Sequence, residues 1–279
     1  MIGICGGAGP AAGILLHQTI LQHTDSRGVD QGHLNVCHFS RSAGISSRVD
    51  FLMQHKKAAS SSSVVTIENP ACGMARTFEM MKTTAQAANV PLVAGVACIT
   101  FHVEPIWNEF RRLANINESG QSAKNVKCLN LLQETVRFLV EVAPSGRNIG
   151  VMCTDGTRAA RLFNELLEPL GYNVLEVDDD TQRELQDTIL NPEWGIKSNA
   201  PIIQPRCIDN FHKYARQLIA AGADVIILGC TEIPFAFGAA AVFEGVVLVD
   251  PLVALARALI REVDPSRLKQ LELNGRKHP

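Results

Sequence analysis

The chain has 279 residues, 46% of them hydrophobic and 19% charged, with a formal net charge of -2; this is globular composition, long enough for one large domain or two modest ones. That charge provides no basic field for nucleic acid and no polybasic stripe for an anionic membrane. No apolar run reaches the roughly 20 residues that span a bilayer, and the opening residues lack the charged region and cleavage site of a signal peptide, so a cytoplasmic protein is expected.

The first apolar run, Met1 to Ile4, leads into Gly7-Ala8-Gly9-Pro10-Ala11-Ala12, a glycine turn opening a helix. The turn matches G-x-G-x-x-A, the dinucleotide fingerprint. The second strand, Leu34 to Phe39, carries no acidic residue at its end for a ribose hydroxyl, so a carboxylate or other anion at the helix N-terminus is the simpler ligand. Arg48 follows in the loop-like Gly44-Ile45-Ser46-Ser47 context, where a guanidinium can hold a carboxylate or simply be solvated. A third apolar run, Val64 to Ile67, reads as a strand. Asn69-Pro70-Ala71-Cys72-Gly73 then turns into a helix whose face is Met74, Phe78, Met81 and Ala85.

The strand Leu92 to Val96 runs directly into Ala97-Cys98-Ile99-Thr100-Phe101-His102, with Pro105 opening the next helix. Asn115 to Lys127 is polar and aperiodic, and reads as an exposed connection where the domain changes. Ile149-Gly150-Val151 followed by Gly156 repeats the spacing of Ile2-Gly3-Ile4 followed by Gly9, which suggests two domains of like build. Strands at Asn173 to Val177, Asp224 to Leu228 and Val246 to Val249 complete the pattern, with a helix at Ile208 to Ile219 stopped by Gly222. Lys197 lies in Glu193-Trp194-Gly195-Ile196-Lys197-Ser198, another loop-like setting. Near-continuous apolar strands alternating with helices make the class α/β, with mainly parallel sheets flanked by helices.

The strand at Asp224 ends in Gly229-Cys230-Thr231-Glu232-Ile233-Pro234, echoing the strand that ends at Cys98. Ligands bind at the carboxyl ends of parallel strands, and backbone N-H groups at a following helix start favour thiolate. Two such thiols on opposite sides of one carbon can remove and return a proton. From the residues alone, two core cysteines at strand ends remain the slightly better reading. The other six cysteines, Cys5, Cys37, Cys72, Cys128, Cys153 and Cys207, form no CxxC or zinc-spaced cluster, so no metal or disulfide framework is expected. Cys72 reads as structural. His102 can tune a thiol or be a satisfied core histidine.

Leu228-Gly229-Cys230-Thr231-Glu232-Ile233-Pro234 resembles the second-cysteine motif of the aspartate/glutamate racemase family, and Cys98-Ile99-Thr100-Phe101-His102 resembles its first, commonly Cys-Asn-Thr-Ala-His. Ile2 to Pro10, the Arg48 loop, Thr154-Asp155-Gly156-Thr157 and Glu193 to Lys197 support the likeness in the family's order. The resemblance implies two pseudo-symmetric domains, residues 1–114 plus 248–279 with Cys98 and residues 115–247 with Cys230, and an active site in the interdomain cleft. It implies Cys98 and Cys230 as an acid/base pair acting without cofactor or metal. Gly7, Arg48, Ile99, Thr100, Lys197 and Thr231 would bind a small amino-acid or dicarboxylate substrate, aspartate or glutamate first; a homodimer is compatible. The departures are Ile99 and Phe101, which replace an amide and a small residue and make the local surface more apolar. They keep two other readings open, a single-cysteine isomerase or decarboxylase and a silent dicarboxylate-binding protein.

Overall fold

A computed structural model describes residues 1–60, 64–238, 240–273 and 276–278. They form two compact units, Met1–Leu131 with Leu255–Lys269, and Leu132–Ala254 with the segment from Gln270 onward. Among the described residues no helix is long and apolar enough to cross a membrane.

In the first unit the chain runs β1 (Ile2–Gly6), α1 (Pro10–His23), β2 (Val36–Ser40), α2 (Arg48–Ser60), α3 (Pro70–Ala87), β3 (Leu92–Val96), α4 (Glu104–Leu113), β4 (Gln121–Ala123) and β5 (Val126–Leu129). The sheet order is β2-β1-β3-β5-β4, parallel except for β4 against β5. Every residue of β1 and β3 is buried, so both faces of each strand must be apolar and the period-2 alternation of a half-exposed strand is missing. Met74, Phe78, Met81 and Ala85 are buried on one face of α3, as their spacing predicts. That helix begins at Pro70, earlier than Met74, because the Asn69 side chain caps it by accepting the Ala71 N-H at 3.0 Å.

Two expectations fail here. Val64 to Ile67 is not a strand: Gln54 Oε1 accepts the N-H groups of Thr66 at 2.9 Å and Ile67 at 3.3 Å, and Val64 is 81% exposed. A side-chain amide thus stands where a neighbouring strand would have to be. Asn115 to Lys127, expected as a connection, instead leads into β4 and β5, and β5 pairs with β3 from Leu92 opposite Val126 to Gly95 opposite Leu129. Only four residues long and carrying Lys127, β5 gives too short an apolar signal to read as a strand. The first unit therefore extends to Leu131 and the second to Ala254.

The second unit holds α5 (Leu131–Val142, from its second residue), β6 (Asn148–Cys153), α6 (Asp155–Ala159), α7 (Leu162–Leu167), β7 (Asn173–Leu175), α8 (Asp179–Leu190), α9 (Ile196–Asn199), α10 (Pro205–Ala220), β8 (Val225–Gly229), α11 (Pro234–Phe237), β9 (Val242–Phe243) and β10 (Val246–Val249). The helix α12 (Pro251–Val263) belongs to this unit up to Ala254 and to the first from Leu255, and a hairpin of β11 (Leu271–Leu273) and β12 (Arg276–His278) follows. The sheet order, β7-β6-β8-β10-β9, with only β9 antiparallel, repeats that of the first unit strand for strand. The two echoing segments fall on β1 and β6, which occupy equivalent places. Cys98 and Cys230 follow β3 and β8, which are equivalent as well.

Beyond β3, a three-residue 3-10 turn, Thr100–His102, turns Phe101 into the core against Phe110, at 5.4 Å between ring centroids, while His102 stacks on Trp107 at 4.5 Å. His102 Nδ1 donates to the Cys98 carbonyl at 2.8 Å and Nε2 accepts the Leu131 N-H at 3.4 Å. Both partners suit only the neutral ring, and burial pushes its pKa down to about 4. The unfolded chain binds this proton near pH 6.5 and the folded chain only near 4, so stability falls as pH drops through that window. Between pH 7 and 5, His102 is expected to contribute about 2 kcal/mol of lost stability. Urea denaturation of His102→Asn should show the pH 7 to pH 5 difference shrinking by that amount; an unchanged difference refutes the assignment. At the end of β8, a Cβ on Gly229 would stand 2.7 Å from the Met152 carbonyl oxygen and 2.9 Å from Cys153 Cβ. Gly229→Ala should therefore cost about 1–3 kcal/mol in thermal or urea unfolding.

Candidate active site

In the first unit the last β1–β3 pair is Cys5 opposite Val96, and the Ala97 N-H reaches back to the Cys5 carbonyl at 3.3 Å. Two residues further on, Gly7 and Cys98 occupy the same carboxyl edge of the sheet. Gly7 has φ +95°, and a Cβ there would lie 2.7 Å from Arg41 N and 2.9 Å from Ser42 N, so both conformation and space demand glycine. Arg48, expected in a loop, is the first residue of α2. Its Nη2 donates to the Ala8 carbonyl, which ties the loop after β1 to the guanidinium, and its buried Nε-H has no protein acceptor among the described residues.

Gly7, Ala8, Arg48, Cys98 and Thr100 are thus gathered by two adjacent strands and the helix start that latches onto them. Cys98 is 4% exposed and Ile99 2%. Phe101 is fully buried in the aromatic cluster, so it does not make the site surface more apolar as expected; its bulk belongs to the core under α4. His102 bonds the carbonyl of Cys98 and is the satisfied core histidine, with both ring nitrogens engaged by backbone.

In the second unit β6 and β8 pair as far as Cys153 opposite Gly229, which puts Thr154 and Cys230 together at the equivalent edge. The polar centre is Glu232, a carboxylate only 2% exposed. Its Oε2 accepts three donors: the Cys230 thiol at 3.2 Å, the Thr231 hydroxyl at 3.1 Å and, as an ion pair, Lys197 Nζ at 3.2 Å. Burial opposes ionisation of Glu232, but the Lys197 ammonium and the bonds from Cys230, Lys197 and Thr231 outweigh it and hold the carboxyl below its ordinary range. Burial pushes the Cys230 thiol up to about 12; the Lys197 ammonium and the Glu232 backbone N-H pull it down, and the Glu232 carboxylate opposes them by its charge and by accepting the thiol proton.

The expectation that backbone N-H groups after the strand favour thiolate at Cys230 holds only for the Glu232 N-H, and burial outweighs it. The helix that follows, α11, is four residues long and begins at Pro234, while the Glu232 carboxylate is in direct contact with the thiol. Lys197 and Thr231, expected to face substrate, both bond Glu232. The sequence motifs assign no role to Glu232; its signal is an acid placed two residues past a strand-end cysteine inside an otherwise apolar run. Cys72 lies in the first turn of α3, half-buried, with its thiol pushed up by burial and by Glu68 and Glu109.

No group of three or more His, Cys, Asp or Glu side chains among the described residues is arranged to hold a metal ion. A groove of about 430 Å³ in the second unit is lined by Asp155, Arg158, Arg161, Asn164, Glu176 and Gln182. Its arginines are already paired, Arg158 with Glu176 and Asp179 at 3.1 Å each and Arg161 with Glu168 at 3.1 Å.

The sequence model of the Asp/Glu/Hydantoin racemase family matches residues 58–259. No curated protein matches. Among solved structures the chain is similar to the aspartate racemase of Picrophilus torridus, with TM-score 0.71 and 20% identity over 96% of this chain and 95% of that one. It is also similar to an aspartate racemase homologue from Pyrococcus horikoshii, at 0.59 and 17% over 94% and 98%. A glutamate racemase from Francisella tularensis, solved with D-glutamate, gives 0.56 and 14% over 100% and 84%. At these identities the structures establish the two-domain fold, and the sequence model, which spans most of the chain, establishes the membership: the protein belongs to the Asp/Glu/hydantoin racemase family.

Proposed function

We propose that the protein racemises a carboxylated amino acid, aspartate or glutamate first, by two-base proton transfer between Cys98 and Cys230 without a cofactor. The observation that carries this reading is topological. Each thiol follows the equivalent strand of its own sheet, at the carboxyl edge where parallel sheets bind ligands. The reading requires the two thiols to address opposite faces of one α-carbon. A thiolate removes the proton, the carbanion's electron pair passes towards the carboxylate, and the partner thiol protonates the other face. Eight free cysteines suit a reducing, cytoplasmic setting.

Substrate binding is proposed at Gly7, Arg48, Ile99 and Thr100 in the first unit and at Lys197 and Thr231 in the second. Arg48 has the best physical support: a buried guanidinium N-H with no protein acceptor among the described residues favours an incoming carboxylate oxygen. The loop of Gly7 and the backbone around Ile99 would lie close to that carboxylate, since both follow neighbouring strands.

Incubation in deuterium oxide with each enantiomer of aspartate and glutamate should yield α-deuterated amino acid of both hands. Absence of exchange into these and other amino acids at high enzyme concentration overturns the reading. Cys98→Ser and Cys230→Ser should each lose about 10²–10⁴-fold in activity, while Cys72→Ser stays active. Full activity in either of the first two variants would rule out the two-base version. Arg48→Gln is expected to lower kcat/KM for a dicarboxylic amino acid by about 10–100-fold, the value of one or two charge-assisted hydrogen bonds. An unaffected kcat/KM would remove Arg48 from the site.

A further inference from the structure

We propose that Glu232 is a positioning residue that holds Cys230 as a thiol in the resting protein, so that Cys230 begins the reaction as proton donor and Cys98 as acceptor. This rests on the two-base reading and adds a direction to it. The geometry is specific. The Cys230 S-H donates to Glu232 Oε2 at 3.2 Å, and the same oxygen is fixed by Thr231 Oγ1 at 3.1 Å and Lys197 Nζ at 3.2 Å. With Glu232 and Cys230 only 2% and 4% exposed, water screens little of the charge between them.

A carboxylate so placed accepts the thiol proton as a hydrogen bond and repels a thiolate, and both effects favour S-H over S⁻. Among the described residues, the titratable groups that act on Cys230 are Glu232, Lys197 from α9 and Cys153 from β6. Lys197 pulls towards thiolate, and the Glu232 carboxylate, which it touches at 3.2 Å, opposes that pull beside a thiol that burial already keeps protonated. Cys153 sits at the end of β6 with its own thiol pushed far up, by burial first, and adds no cation. Two-base chemistry requires one thiol to be ionised while its partner is not, and the carboxylate in contact with Cys230 assigns the protonated role to that residue. When Cys230 donates, its S-H bond breaks as a C-H bond forms on the α-carbanion. The thiolate left beside Glu232 is the less stable form, and it regains a proton from solvent or from the α-carbon of the opposite enantiomer.

The test is the pH dependence of iodoacetamide alkylation at Cys230 in the full-length protein without substrate, read by mass spectrometry of the Cys230 peptide. In the wild type, modification should rise only at alkaline pH. A midpoint below pH 8 overturns the proposal and needs no variant. In Glu232→Gln the profile should move to lower pH by about one unit or more, giving roughly tenfold faster modification at pH 8, and Glu232→Asp should restore the alkaline profile. A purely structural role for Glu232 would scale the rate equally at every pH without moving the midpoint, and that result also overturns the proposal. Because alkylation needs no turnover, its outcome is independent of the deuterium-exchange test. A shifted profile without α-exchange keeps the Glu232 assignment and discards the racemase reading, and exchange with an unshifted profile does the reverse.

Discussion

Burial of the central strands on both faces is the constraint from which the rest of the architecture follows. β1, β3 and β8 have no exposed residue, so any polar group they delivered would need a partner inside the sheet layer. Chemistry is therefore displaced to the carboxyl ends, where backbone N-H groups and side chains come free as the chain turns. The repetition of one strand order in both units applies this constraint twice and produces two cysteines in equivalent places.

What surrounds those cysteines differs between the units, and a carboxylate is in contact with Cys230. Cys98 packs into the apolar core of its unit, with His102 kept neutral by burial and by a backbone donor and acceptor on its two nitrogens. Around Cys230 a buried carboxylate is sustained by an ammonium, a hydroxyl and the thiol itself. A buried carboxylate with so many donors remains ionised, whereas one with none would have neutralised. The cost of burying Glu232 is offset locally, and the charge acts over a short distance on the nearest titratable group.

The replacement of a small residue by Phe101 belongs to packing. Its ring lies within the cluster of Trp107 and Phe110, so its volume is accommodated on the core side of the turn. Ile99 alone then carries the loss of a side-chain amide beside Cys98. Arg48, whose guanidinium holds the neighbouring loop through the Ala8 carbonyl, becomes the polar anchor of that unit.

Sequence alone was enough to determine the α/β class, the central strands, the buried face of α3, the helix α10 and the strand-end positions of both cysteines. These depend on local properties: continuous apolar runs, 3.6-residue periodicity and the glycines and prolines that end elements. Even the internal echo was legible, because Ile2-Gly3-Ile4 and Ile149-Gly150-Val151 preserve the spacing from strand to turn. The tertiary structure decided what depends on partners distant in sequence. Val64 to Ile67 has the composition of a strand, but the Gln54 side chain takes its N-H groups. Val126–Leu129 is a strand because β3 offers it an edge. Lys197, in a loop-like stretch of sequence, is brought by α9 to Glu232, 35 residues away along the chain. Ionisation of a thiol is set by charges within a few ångströms, and a sequence does not show which charges those will be.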